Sequence, residues 1–357
     1  MITDLSVQNF KGLGDVVLKD MRRGTLIVGK NNSGKSSILE AVFLLMDCTS
    51  PEIFFKLNDL RAREQISGTE DLWGRLFGNG GQQLRIVAQL DNDTLVELMA
   101  SHAPDDSATY PGGARLSSGT ALSGNGAMSG VRRADTVFRY QFAFGEAQES
   151  GLYAGDAQGV RRLGRTTVNG QAGTIPVRFI PASRTNLVMS VLLGEVELRS
   201  KKPELIEALR IVDNTVEDLV TVTQPTGTEV YIRTALGLLP LAYAGDGLRS
   251  IAALVMQTML QDPGSIVLID EIENGIHYSL YGKVWEILNR TAASHGGQII
   301  ATTHSYEFVW SAFEAARADH ASDQFSLYRL DRNHRRHVVR YSTEDTEAAL
   351  QYNMEIR

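Results

Sequence analysis

Gly29-Lys30-Asn31-Asn32-Ser33-Gly34-Lys35-Ser36-Ser37 is the stretch on which the reading of this chain turns. Its first eight residues match GxxxxGK[ST], and they lie between an apolar strand, Thr25-Leu-Ile-Val28, and a helical stretch, Ser36 to Met46. In that stretch Ile38, Leu39, Val42, Leu45 and Met46 recur at three- and four-residue spacing. Strand, glycine loop and helix in this order make a phosphate cradle. The glycines let the backbone wrap an anion, successive N–H groups aim at it, and the positive end of the helix adds to them. Lys35 is placed to neutralise β- and γ-phosphate oxygens, and Ser36 to give one oxygen to Mg²⁺. A chance glycine turn before a helix is the bland alternative, and the flanking strand and helix leave it little weight.

Three further stretches extend the site. Ser265-Ile-Val-Leu-Ile-Asp270-Glu271 is an apolar strand whose carboxyl edge presents two carboxylates, the edge at which ligands gather in open α/β sheets. Asp270 would reach Mg²⁺, and Glu271 would polarise the attacking water. Ile299-Ile-Ala-Thr302-Thr303-His304-Ser305 puts a histidine after the next strand, where it could touch the γ-phosphate or the water. Ala244-Gly245-Asp246-Gly247 opens a helix at Leu248. Glycines before a helix N-terminus suit an anion, although on its own an N-cap by Asp246 is the simpler expectation. His277 fits an interface role or a plain surface role equally well.

Outward from these motifs, the organisation is read as follows. Strand patterns occupy Ile2 to Phe10, Leu84 to Leu90 and Thr136 to Phe144. Ala103 to Asp135 is dominated by Gly, Ser, Ala and Asp, which bury too little apolar surface to offset ordering, so it is expected to be a mobile insertion. Gly151 to Arg184 is expected to form a small β-subdomain, with Ile175-Pro-Val-Arg-Phe-Ile-Pro181 as its last strand. Leu187 to Val220 reads as one helical arm, with Leu205, Leu209, Val212, Val216 and Leu219 on a common face. Alternating strands and helices from Leu248 to Ala318 imply a parallel sheet. The expected division is a core of 1–83 and 234–318, an inserted β-subdomain and loop of 84–186, an arm of 187–233 and a tail of 319–357.

Composition excludes several classes. The 357 residues are 43% hydrophobic and 22% charged, as in an ordinary globular protein. No apolar run approaches the roughly 18 residues of a membrane span, and Met1 to Lys11 lacks a signal-peptide core, so a cytoplasmic protein is expected. Cys48 is the single cysteine, which leaves no intrachain disulfide and no multi-cysteine metal site. A net charge of −7 provides no global attraction for nucleic acid. Arg132-Arg133, Arg161-Arg162 with Arg165, Lys201-Lys202 and Arg335-Arg336 leave a local DNA contact open.

The order of these motifs resembles the ATP-binding-cassette superfamily. Within it, Val28-Gly-Lys-Asn-Asn-Ser-Gly-Lys-Ser-Ser37, Leu268-Ile-Asp-Glu-Ile-Glu-Asn-Gly-Ile-His277 and Ala301-Thr-Thr-His-Ser305 look most like the overcoming-lysogenization-defect ATPases. The resemblance covers residues 1–46 and 240–310. It implies an α/β P-loop fold of ABC ATPase type, with a mixed or parallel core sheet, an antiparallel β-subdomain and a lateral helical arm. It implies ATP and Mg²⁺ as cofactors, Lys35 and Ser36 on phosphate and metal, Asp270 on the metal, Glu271 as base and His304 as switch. It also implies an ATP sandwich of two copies, in which Asn274 and His277 cross the dimer and Gly245 to Gly247 complete the site in trans. Two departures stand out: the superfamily's serine-glycine-glycine signature is Gly245-Asp246-Gly247 here, and no Toprim nuclease cluster follows His304. Gln82, Gln83 and Gln89 are all candidates for the glutamine that couples nucleotide to the lateral lobe. The expected role is an ATPase that regulates or assembles a separate effector, such as a nuclease, in anti-phage defence. A DNA clamp in repair is the alternative.

Overall fold

The computed structural model describes the chain except for residues 51, 60–74, 79–80, 82, 105–135, 157–158, 185–187, 226, 332–336 and 353–357. Among the described residues the strands in chain order are β1 (Ile2–Gln8), β2 (Asp15–Leu18), β3 (Gly24–Val28), β4 (Gln83–Leu90), β5 (Leu95–Pro104), β6 (Thr136–Phe144), β7 (Ala147–Asp156) and β8 (Gly159–Val168). They continue with β9 (Val177–Ile180), β10 (Asp218–Gln224), β11 (Gly227–Thr234), β12 (Gly237–Pro240), β13 (Ile266–Ile269), β14 (Gln298–Thr302), β15 (Phe325–Asp331) and β16 (His337–Tyr341). The helices are α1 (Lys35–Asp47), α2 (Glu52–Asp59), α3 (Met189–Leu198), α4 (Lys202–Val212), α5 (Asp246–Met259), α6 (Tyr281–Ser294), α7 (Tyr306–Ala318) and α8 (Thr343–Gln351). Two units result, one of Met1–Thr3, Leu18–Leu39 and Ile175–Arg357, the other of Asp4–Val17 and Glu40–Thr174.

The first unit is built on a six-stranded sheet in the order β16-β15-β3-β14-β13-β9. From β15 to β9 every neighbouring pair is parallel, and β16 returns antiparallel on β15. Parallel central strands are covered on both faces and therefore need apolar residues throughout. Gly24-Thr-Leu-Ile-Val28, Ile266-Val-Leu-Ile269 and Gln298-Ile-Ile-Ala-Thr302 are buried at every position. Ile251 and Leu254 of α5, Val284 and Leu288 of α6, and Phe308 and Phe313 of α7 join Val267, Ile269, Ile299 and Ala301 in one core. Each such side chain contributes about 1.5–3 kcal/mol of burial.

The second unit carries a seven-stranded sheet, β2-β1-β4-β5-β6-β7-β8, in which β4 to β8 pair antiparallel in succession. β4 alternates buried and more accessible residues, as a sheet with one wet face requires. Glu149 is buried and accepts from the Tyr140 hydroxyl at 2.7 Å and from Arg165 Nη2 at 2.6 Å.

Four expectations change. The arm is two helices, not one: α3 ends before Ser200, which has φ +56°, and α4 opens on a proline-containing first turn. Pro203 cannot sit inside a continuous helix but fits the start of one. Asp213 then stops α4, its Oδ1 accepting from Thr215 N at 2.9 Å and Thr215 Oγ1 at 2.7 Å, so Val216 and Leu219 leave the helix and Leu219 lies on β10. Ile175 to Arg184 does not end the β-subdomain, because β9 pairs with β13 in the core sheet. The expected tail contributes β15, the direct neighbour of β3. Helix α5 begins at Asp246, two residues before Leu248, with Gly245 rather than Asp246 as its N-cap. Gly245 has φ +91°, a conformation that favours glycine. Most of the expected insertion, residues 105–135, and Gln82 lie outside the described residues.

Candidate functional site

β3 runs straight into the phosphate loop. Gly29 has φ +148°, Asn32 +62° and Gly34 +106°, and Ser33 N donates to Lys30 O at 3.1 Å to close the turn before α1 starts at Lys35. A Cβ at Gly29 would lie 2.5 Å from the Leu330 carbonyl oxygen on β15 and 2.8 Å from Ser33 Oγ. Gly29→Ala is therefore expected to displace the loop and weaken nucleotide binding by about tenfold or more, in line with the 1–3 kcal/mol of such strain. A nucleotide titration beside a melting curve checks it, since a general loss of fold would lower the melting temperature as well.

Lys35 is buried, and its ammonium donates to Gly29 O at 2.7 Å and Lys30 O at 3.1 Å. Burial lowers its pKa, and the charges of Asp270, Glu271 and Glu273 oppose that shift. Ser33 Oγ is buried without a hydrogen-bond partner among the described residues. Ser36 Oγ donates to Asp270 Oδ1 at 2.9 Å, and Thr302 Oγ1 donates to the same oxygen at 2.6 Å. The donor set is thus two hydroxyls and a carboxylate, the hard oxygen chemistry that suits Mg²⁺. Lys30, Asn31 and Asn32 are exposed along the rim of the loop, and Ser37 follows in the first turn of α1.

The turn after β13 holds the remaining groups. Asp270 N donates to Ile180 O of β9 at 2.9 Å, and Glu271 N donates to Thr302 Oγ1 at 2.9 Å. Glu271 has φ +45°, the left-handed region that non-glycine residues rarely enter. Asn274 Nδ2 donates to Glu271 Oε2 at 2.7 Å and so fixes that carboxylate. His304 N donates to Glu273 Oε1 at 2.9 Å, and His304 Nδ1 lies 3.1 Å from the same oxygen. A ring nitrogen that close to a carboxylate carries the proton, which leaves Nε2 as the free face of the imidazole. Arg184, only 8% exposed, reaches the carbonyl oxygens of Asn274 at 2.7 Å, Glu271 at 3.1 Å and Asp270 at 3.4 Å. Burial brings its pKa down to about 10.

Ser36, Asp270 and Glu271 therefore meet through hydrogen bonds shared with Thr302, His304 joins them through Glu273 in the same turn, and Lys35 lies in the facing loop within the field of those carboxylates. Thr302, Glu273 and Arg184 belong to this arrangement and carried no role in the sequence reading. Thr302 lies within the quoted histidine phrase, whereas Arg184 had no signal beyond closing a strand. His277 is exposed, and its Nδ1 accepts from Ser279 N at 3.4 Å, a local cap. Gly247 stands beside Gly275, whose carbonyl oxygen is 3.7 Å from a Cβ built on Gly247.

Residues 1–86 match the family described as "AAA ATPase domain", and residues 188–309 match the one described as "AAA domain, putative AbiEii toxin, Type IV TA system". The fold is that of ABC-type P-loop ATPases, and both matched families are AAA ATPase domains, which supports ATP hydrolysis. Among curated proteins it is 21% identical over 349 residues to an ATP/GTP phosphatase of Helicobacter pylori, covering 92% of each chain. It is 41% identical over 100 residues to the uncharacterized protein MJECL10 of Methanocaldococcus jannaschii, covering 28% of this chain and 45% of that one. Among solved structures it is similar to an Smc head bound to the C-winged helix domain of ScpA, at a TM-score of 0.50 and 14% identity over 96% of this chain and 98% of the other. Among the described residues no helix is long and apolar enough to cross a membrane.

Proposed function

We propose that this ATPase closes two copies of itself on ATP, with Mg²⁺, and that the closing and opening regulates or assembles a separate effector in bacterial defence. Lys35 and the loop hold the phosphates, Ser36 and Asp270 serve the metal, Glu271 accepts the proton of the attacking water, and His304 reads the γ-phosphate through Nε2. Held by Ser36 and Asp270, Mg²⁺ would add positive charge beside the phosphates. Kinship with the overcoming-lysogenization-defect ATPases rests on the quoted motif phrases.

One observation carries the two-copy reading. Gly245 caps α5, and glycines at 245 and 247 place no side chain at those two positions of the helix end, whose backbone N–H groups suit an anion. A Cβ on Gly247 makes only ordinary contact within the chain, so a large side chain there would obstruct a second copy while sparing the fold. Gly247→Phe is expected to abolish ATP-dependent association of the Glu271→Gln protein and to remove hydrolysis in the Glu271 background. Light scattering with and without ATP tests it. Normal hydrolysis by monomeric Gly247→Phe would overturn the sandwich.

A protein effector, with a nuclease as the leading candidate, is favoured over DNA as the partner. Lys201 is spent on Met259 O at 2.6 Å, Lys202 on Glu197 and Asp218 at 3.1 Å, Arg165 on Glu149, and Arg162 on Thr49 O. Arg132-Arg133 and Arg335-Arg336 lie outside the described residues. Meanwhile Leu236, Leu238 and Leu239 are all exposed within one short stretch from the β11–β12 turn into β12, a local run of apolar surface of the kind a protein partner covers. The match to a family described as a putative toxin of a Type IV TA system supports a role in such a system. Co-purification of the native protein with and without Glu271→Gln tests the partner. DNA binding that weakens steeply with salt, together with the absence of any protein partner, would favour the clamp instead.

A further inference from the structure

We propose that Arg184 is a positioning residue for Glu271: its guanidinium holds the backbone turn that aims the catalytic carboxylate. The inference rests on the reading of Glu271 as the base. It begins from an expensive arrangement. Arg184 is 8% exposed as a whole, so its guanidinium has given up most of its water, and burying a charge is tolerated only when its hydrogen bonds are replaced. In this chain the replacements are main-chain carbonyls, and Arg184 Nε has no partner among the described residues. The acidic side chains of Glu273, Asp270 and Glu271 act on it through space rather than through a bonded pair.

The choice of carbonyls gives the arrangement its meaning. Nη2 reaches the carbonyl oxygens of Asp270 and Glu271, and Nη1 reaches that of Asn274. Glu271 itself sits at φ +45°, a conformation an L-residue keeps only where its surroundings impose it. Asn274 is the residue whose amide bonds the Glu271 carboxylate. One planar fork therefore grips the strained backbone of Glu271 and, three residues on, the anchor of its side chain. Thr302 Oγ1 holds the other side of the same peptide through Glu271 N. Arginine suits this task because its donors are fixed in one plane, whereas lysine offers a mobile point charge.

Arg184 also forms part of the wall of an open cavity of about 310 Å³ that is lined by Ser183, Arg249, Ser250 and Gly275 among others. Shortening the side chain opens that space to water, which can then meet the three carbonyls, so the fold is expected to survive. The turn loses its clamp, and a carboxylate displaced by about 1 Å can cost 10²-fold in rate.

The test compares Arg184→Met, Arg184→Lys and Glu271→Gln, alone and combined, by steady-state hydrolysis and by ATP titration. Arg184→Met is expected to lower kcat by about 10- to 100-fold with ATP affinity changed less than about twofold. Arg184→Lys should recover part of the rate. In the Glu271→Gln protein, adding Arg184→Met should change turnover by less than about threefold, because the group being aimed is already disabled. Wild-type kcat in Arg184→Met, or an equal loss in both backgrounds, would overturn the proposal while leaving Glu271 as the base. Normal turnover in Glu271→Gln would instead remove that base and the proposal with it. If Arg184→Met fails to fold, Arg184→Lys decides: a kcat loss that vanishes in the Glu271→Gln background supports positioning, and an unchanged kcat or a persistent loss refutes it.

Discussion

Glu271→Gln is expected to slow ATP turnover by about 10²-fold or more while leaving ATP bound, the scale on which a positioned general base contributes. The substitution is nearly isosteric. Asn274 Nδ2 now donates to Glu271 Oε2 at 2.7 Å, and an amide oxygen at 271 can accept that bond equally well, so the turn and its left-handed residue persist. Only the ability to take a proton is lost. The phosphate loop, with Lys35 and Ser36, is untouched, and affinity for ATP should hold. A single-turnover measurement with labelled ATP separates the two quantities. Turnover near the unmodified rate would show that the proton goes elsewhere and would remove Glu271 from the mechanism.

Lys35→Ala has the other large expected effect, and it falls on binding. The Lys35 ammonium is buried and folded onto Gly29 O and Lys30 O, where desolvation works against its charge and three nearby carboxylates support it. A phosphate arriving in the loop would give that charge a stronger partner. Removing one member of a buried charge pair costs about 2–5 kcal/mol, so ATP affinity should fall by about 10²-fold or more. Equilibrium titration with a fluorescent nucleotide checks this. Retention of affinity within a few-fold would mean that the backbone N–H groups carry the phosphates alone. Lys35→Ala also leaves two carbonyls without their donor, so a melting curve should accompany the titration.

The elements legible in the sequence are those whose cause is local. Thr25 to Val28, Gln298 to Thr302 and Tyr306 to Ala318 announce themselves by apolar continuity or by helical spacing, and the phosphate loop by glycines at set offsets. Apolar spacing does not mark where one element stops and the next begins, and Leu187 to Val220 holds no glycine or proline run between its parts strong enough to separate them, which is why α3, α4 and β10 read as one arm. Such spacing is equally blind to pairing. Val177–Ile180 reads as a strand of the inserted lobe and Phe325–Asp331 falls in the expected tail, and only registry with β13 and β3 tells that both flank the strands that carry Asp270 and the Gly29–Ser36 loop.

Legible in the sequence by itself were the candidate groups: a lysine and serine on a glycine loop, two carboxylates at a strand end and a histidine after the next strand. Their types suit the proposed handling of phosphate, metal and proton, and their spacing along the chain is set by the strand and helix each one ends or begins. Tertiary structure alone decided how they are held. Arg184, Glu273 and Thr302 come from three separate segments, and their hydrogen bonds to the Asp270–Asn274 turn and to His304 exist only once β9, β13 and β14 lie side by side. A buried guanidinium on main-chain carbonyls leaves no periodic trace, because its partners are backbone atoms that every residue possesses.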